Sequence, residues 1–199
     1  MKKLSKLAAI LAALVLACAF IGCANGNSSD DSNSNSGGSS TTAFADCTTT
    51  AEEVTLADGN WTVKVVNEAE GISQEYNIKA SVSNGSFTLT SGTATETEDL
   101  SVVMTEDELA EFKNLSEDEK KSALADMVPE GATVTINGTK VTISATLEED
   151  TLTAMQSSMD LSEIPEGATI KTNSDKTKYI ISLTNGDGTE TIYISKDAE

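Results

Sequence analysis

The sequence predicts an α+β domain, mostly β: an antiparallel or barrel-like sheet of hairpins, carrying two or three short helices and following a disordered linker. Three observations predict it. From about Phe44 onward apolar residues alternate with Thr, Lys, Asn and Ser, the period-two pattern of antiparallel strands with one wet face. Asn-Gly and similar pairs punctuate the alternating runs, and such pairs supply the positive φ that tight hairpins need. Between the early and late runs, two Ser/Thr-x-x-Glu boxes open stretches of helical spacing.

The early strands carry Trp61, Val63 and Val65, then Tyr76, Ile78, Ala80 and Val82, then Phe87 and Leu89. Thr62, Lys64, Asn77, Lys79 and Thr88 occupy the intervening positions, whereas doubly covered parallel strands would read as unbroken apolar runs. Asn84-Gly85 is placed to turn the second of these runs into the third as a type I′ hairpin. Two helices follow, one capped by Thr105 with Glu108 and the other by Ser116 with Glu119. Leu109 and Phe112 lie on the first, and Ala123, Leu124 and Met127 on the second, which must end before Pro129. A third helix is expected over about 150–159, with Leu152, Met155 and Met159 on one side.

The late strands carry Val134 and Ile136, then Val141, Ile143 and Ala145, then Tyr179, Ile181 and Leu183, and finally Ile192 and Ile194. Asn137-Gly138 is expected to close a type I′ hairpin, and residues 173–176 and 185–188 to form longer loops. Pro129-Glu130-Gly131-Ala132-Thr133-Val134 recurs 36 residues later as Pro165-Glu166-Gly167-Ala168-Thr169-Ile170. A helical pattern precedes each copy and a hairpin follows it, which points to a duplicated helix–hairpin unit at about 115–146 and 150–184.

Composition excludes whole classes of chemistry. The 199 residues hold 13 Lys+Arg, all of them Lys, against 32 Asp+Glu, with no His and three Cys. His-based triads, His metal sites and Arg phosphate clamps are therefore ruled out, and too few thiols remain for a Cys zinc site. Asn185-Gly186-Asp187-Gly188-Thr189-Glu190 looks like part of a calcium loop, but it lacks the alternating ligands and distal Glu of a full one, and a hairpin loop is needed there anyway. The acidic runs at 117–119 and 148–150 fall at helix starts, where the dipole favours negative charge. No catalytic, cofactor-binding or metal-ligating residue is assigned. A net charge of −19 excludes nucleic acid as a partner, since that binding is driven by cations on phosphates.

Residues 1–22 read as a secretory signal. Lys2, Lys3 and Lys6 precede an uncharged apolar run from Leu7 to Ile21, too short for a comfortable membrane span. The run ends in Phe20-Ile21-Gly22-Cys23, which resembles the lipobox of bacterial lipoproteins, with Phe20 where Leu is usual. The resemblance implies cleavage before Cys23, a diacylglyceryl group on its thiol and acylation of the new amino group. Val15-Leu16-Ala17-Cys18 is a rival site, and use of Cys18 would leave Cys23 free to pair with Cys47. An ordinary signal peptide or an uncleaved anchor is the alternative.

Loss of residues 1–22, which hold three Lys and no acid, takes the net charge from −19 to −22. Such a polyanion is repelled by anionic headgroups, so attachment must come from acyl chains. Residues 23–46 comprise the lipidated Cys and a Ser/Asn/Gly-rich linker that cannot bury enough apolar surface to order itself. Its polar stretch, 24–42, spans about 25 Å as a flexible coil. Residues 47–199 form one acidic β-rich domain. By the sorting pattern of enteric lipoproteins, Ala24 after the cysteine implies the outer membrane or cell surface rather than the inner membrane.

Gly59-Asn60-Trp61, entering a strand, is similar to the Gly-x-Trp that opens lipocalins, eight-stranded calyces for small apolar ligands. The resemblance covers three residues, and the later Arg of that family is missing because the chain has none. It implies Trp61, Tyr76 and Phe87 as ligand-wall residues. The inward positions are otherwise Val, Ile, Leu and Ala, which suits a filled core. The leading expectation is thus a membrane-anchored, non-enzymatic interaction module of the cell envelope, recognising a cationic protein or a glycan. A lipocalin-like carrier is second and an envelope hydrolase using paired carboxylates third. The oligomeric state is not encoded in any motif.

Overall fold

The structure is a computed structural model and describes residues 42–69, 71–125, 128–159, 161, 167–185 and 188–198. The signal segment, Cys18, Cys23 and the linker to residue 41 lie outside the described residues. So do Met127, Pro165 and Glu166 of the second repeat, and Gly186-Asp187 of the last turn.

Nine strands form one antiparallel sheet: β1 (Thr49–Ala51), β2 (Gly59–Ala69), β3 (Ile72–Ser83), β4 (Ser86–Asp99), β5 (Thr133–Asn137), β6 (Lys140–Thr146), β7 (Thr169–Thr172), β8 (Lys178–Asn185) and β9 (Gly188–Lys196). Their spatial order is β1-β7-β8-β9-β2-β3-β4-β6-β5, which leaves β1 and β5 at the two ends. The described residues also form four helices: α1 (Leu100–Val103), α2 (Glu106–Asn114), α3 (Glu117–Leu124) and α4 (Glu149–Ser158). The α+β, mostly β reading and its antiparallel hairpins are therefore correct.

Both capping boxes form. Thr105 Oγ1 accepts from the Glu108 N–H at 3.4 Å while the Thr105 N–H donates to Glu108 Oε2 at 3.1 Å. Ser116 and Glu119 do the same at 3.3 and 2.9 Å. Helix α1 was not anticipated. Asp99 caps it by accepting from the Ser101 N–H at 3.0 Å, but four residues are too few to show a helical period.

The turns agree in place and differ in type. Asn84 and Gly85, with φ of 52° and 78°, sit between the paired Ser83 and Ser86 as type I′ requires. In the other hairpin Asn137 pairs with Lys140, so the central residues are Gly138 and Thr139. Only Gly138 has positive φ, 64°, the signature of type II′ rather than the expected I′. The β8–β9 loop is shorter than expected, because Asn185 already pairs with Gly188. The recurring segment places a glycine with positive φ before a strand in both copies. Gly131 and Gly167 have φ of 79° and 90°, and the strands they lead into pair Val134 with Ile143 and Ile170 with Ile181. Each hairpin places its first strand on the outer side of its flank of the sheet.

One face of the sheet is covered. Trp61, Val63, Ile78 and Ile194 are fully buried there beneath Leu152 and Met155 of α4 and Val54 and Leu56 of the incoming chain. Trp61 Nε1–H donates to the Ala57 carbonyl at 2.9 Å and the Tyr179 hydroxyl to that of Thr55 at 2.8 Å, which pins residues 54–57 across this face. A second apolar group, Leu100, Phe112, Leu124 and Val141, packs α1–α3 on β5 and β6. Gln156 of α4 donates to the Phe87 carbonyl at 2.9 Å and accepts from the Leu89 N–H at 2.7 Å. It thereby satisfies β4 where β6 does not reach it.

Candidate functional site

A β-bulge decides what lies between the two apolar groups. Lys79 pairs with Ser91 but Ala80 pairs with Leu89, so Thr90 is an extra residue in β4. An extra residue reverses the in/out alternation beyond it. Phe87 and Leu89 face inward, and simple continuation would send residues 93, 95 and 97 inward as well. Instead Gly92, Ala94, Glu96 and Glu98 share the inner face, opposite Ile78, Tyr76, Gln74 and Ile72, and Thr93, Thr95 and Thr97 point outward.

The registers extend this into a polar row. Glu96 pairs with Gln74 on β3, Gln74 with Asn67 on β2, and Asn67 with Glu190 on β9. Glu98 occupies the next inward position of β4, between Ile72 and Val141. Gln74 Nε2 donates to Glu96 Oε2 at 3.3 Å. Glu98 is 1% exposed, and neither of its carboxyl oxygens has a hydrogen-bond partner among the described residues. Burial pushes Glu96 up to about 7; the Gln74 hydrogen bond works against this and the neighbouring Glu98 charge adds to it. Burial likewise raises Glu98 and Glu190. Adjacent inward positions on one strand are about 7 Å apart, and Glu190 lies about 14 Å from Glu96 across three strand spacings.

The opposite face shows what ordinary acids do in this protein. Lys64 meets Glu75 at 2.7 Å, Lys79 meets Asp197 at 3.0 Å and Lys178 meets Asp46 at 3.1 Å. Thr95 and Ser144 hydroxyls share a hydrogen bond at 2.8 Å, as do those of Thr97 and Thr142 at 3.0 Å. That face is a self-satisfied polar surface, and the inner row is not.

The expected ligand-wall residues are split. Trp61 and Tyr76 are packed in the main core, at 0% and 6% exposure. Phe87 instead lines a cleft of about 450 Å³ at the rim of the sheet, with Val54, Leu56, Met159 and Leu161. Cys47 is buried and bonded to no other cysteine among the described residues; burial raises the pKa of its thiol, which leaves little thiolate. Among the described residues no three acidic or thiol side chains converge on a metal-sized site.

Glu96, Glu98, Gln74, Asn67 and Glu190 carried no signal as a group in the sequence, because their common orientation depends on the bulge at Thr90. The comparisons with known proteins add no assignment: no family model, curated protein or solved structure matches the chain.

Proposed function

We propose that the protein is a lipid-anchored component of the bacterial cell envelope whose acidic sheet domain is a non-enzymatic binding module. The anchor rests on the lipobox-like Phe20-Ile21-Gly22-Cys23 after a basic and apolar leader, and Ala24 favours the outer membrane or cell surface. The observation that carries the binding role is Glu98, a buried carboxyl without a partner at the end of a row of acids. A group in that state costs stability, and such a cost is kept where a ligand completes the site. The partner chemistry is therefore cationic, which favours the cationic side of the earlier expectation over a glycan. Glu96 and Glu98 are also the pair a carboxylate hydrolase would use, but they stand side by side on one strand rather than facing each other across a cleft.

Intact-mass spectrometry of natively purified protein tests this reading. A chain that begins at Cys23 and carries acyl groups is the expected result; a mature mass without acyl groups contradicts the anchor. A second reading, a carrier of a small apolar ligand, is favoured by the cleft at Phe87, whose volume falls in the range of small-molecule sites. Native spraying of the same sample separates the two, since only the carrier retains an apolar ligand.

A further inference from the structure

Among the described residues, no lysine meets the polar row as lysines meet the acids of the outer face. Strand lysines at positions 64, 79, 140, 171 and 178 fall on the outer face by register. Lys196 faces inward, but it stands opposite Trp61, six residues along β2 from Asn67 and so about 20 Å away. Helices α2 and α3 turn Leu109, Phe112 and Leu124 toward β5 and β6, and Lys120 of α3 is held by Glu117 at 3.1 Å. Glu98 meanwhile is shut in with both oxygens unpaired. A charge arriving from outside is what this arrangement lacks.

We propose that the row Glu96–Gln74–Asn67–Glu190, with Glu98 at its β4 end, binds a linear aliphatic polyamine. The spacing selects this chemistry. One metal ion cannot be reached by acids about 14 Å apart, and no three of them converge among the described residues. A single lysine side chain from a partner protein offers one ammonium for two separated acidic ends. A polyamine carries ammonium groups at both ends and methylenes between. One end is placed at Glu96, with the buried Glu98 carboxylate behind it adding negative charge, and the other end at Glu190. The side-chain carbonyls of Asn67 and Gln74 are acceptors for an inner nitrogen, and the methylenes run between the inward positions of Tyr76 and Val65 on one side and of Ile72 and Ala69 on the other, which flank the row by register. The bulge at Thr90 is the device that turns both β4 glutamates toward the ligand.

The inference rests on the domain being a binding module and is independent of the anchor, so the Cys23→Ser chain should bind equally well. The test is isothermal titration of the purified full chain at pH 8 and physiological salt, where diffuse attraction to a polyanion is screened. The probes are spermidine, putrescine and calcium chloride. One saturable spermidine site is expected, with putrescine weaker because it reaches only one end. Glu96→Gln and Glu190→Gln should each weaken spermidine by about tenfold or more, the scale of a lost charge-assisted hydrogen bond. Glu75→Gln, the same charge change on the outer face, should leave binding unaltered. Absence of a saturable site, equal losses from Glu75→Gln, or tighter binding of calcium than of spermidine would each overturn the proposal. Thermal melts of the variants confirm that any loss is not unfolding.

Discussion

Glu96 and Glu98 make the domain sensitive to pH in an unusual direction. Both carboxyls are raised above the ordinary value of 4.5 in the folded chain, Glu96 to about 7, so the folded state holds their protons more tightly than the unfolded one. For Glu96 the resulting penalty is absent below about pH 4.5, grows as pH rises toward 7 and is complete above it, and Glu98 adds a penalty of the same sign. Stability should therefore be greater at pH 5 than at pH 8. Glu96→Gln should flatten that dependence and stabilise the domain at pH 8 by about 1–2 kcal/mol, after allowance for solvent screening of a partly exposed group. Glu98→Met, which replaces an unpartnered buried acid with an apolar chain of similar length, should add about 1–3 kcal/mol at pH 8. Urea denaturation of the three proteins at both pH values measures this, and equal stability at pH 5 and 8 in the wild type would contradict it. Neither glutamate was legible as an inward residue, because Thr93 to Glu98 alternate Thr, Ala and Glu with no apolar marker of the inner face. Only the hydrogen-bond register exposes Thr90 as the extra residue.

At the scale of elements, legibility follows how local the cause is. The Thr105 and Ser116 boxes, the Asn84-Gly85 turn and the alternation of Trp61 to Val65 each depend on residues within a few positions, and each appears as expected. The Gly138 turn is II′ rather than I′ because strand pairing shifted the central pair by one residue. Helix α4 forms although no side chain caps it; Gln156 bonding to β4 and Leu152 and Met155 in the core supply what propensity does not. Ser116→Ala removes an acceptor for the Glu119 N–H and should cost about 1 kcal/mol. The loss should be visible as faster amide exchange in α3, with little change in β2 and β3. A uniform loss of protection across the sheet would show that α3 is not a separable element.

At the scale of the whole molecule, the proposed anchor couples an acidic body to a membrane that its own charge disfavours. A formal charge of −22, the value once residues 1–22 are removed, would repel anionic headgroups within about a Debye length. The two repeats build opposite flanks of the sheet, and the acidic row crosses the strands between those flanks. That overall plan was only partly legible: the antiparallel strands were, but their spatial order was not, because the pairing of β2 with β9 joins residues more than a hundred positions apart. Location, under the proposed anchor, depends on one sulfur atom. Membrane fractionation of the full chain beside its Cys23→Ser variant tests that most directly. The wild type is expected to sediment with membranes and to be released only by detergent, whereas Cys23→Ser is expected not to partition as the wild type does. Identical partitioning of the two would exclude the acyl anchor.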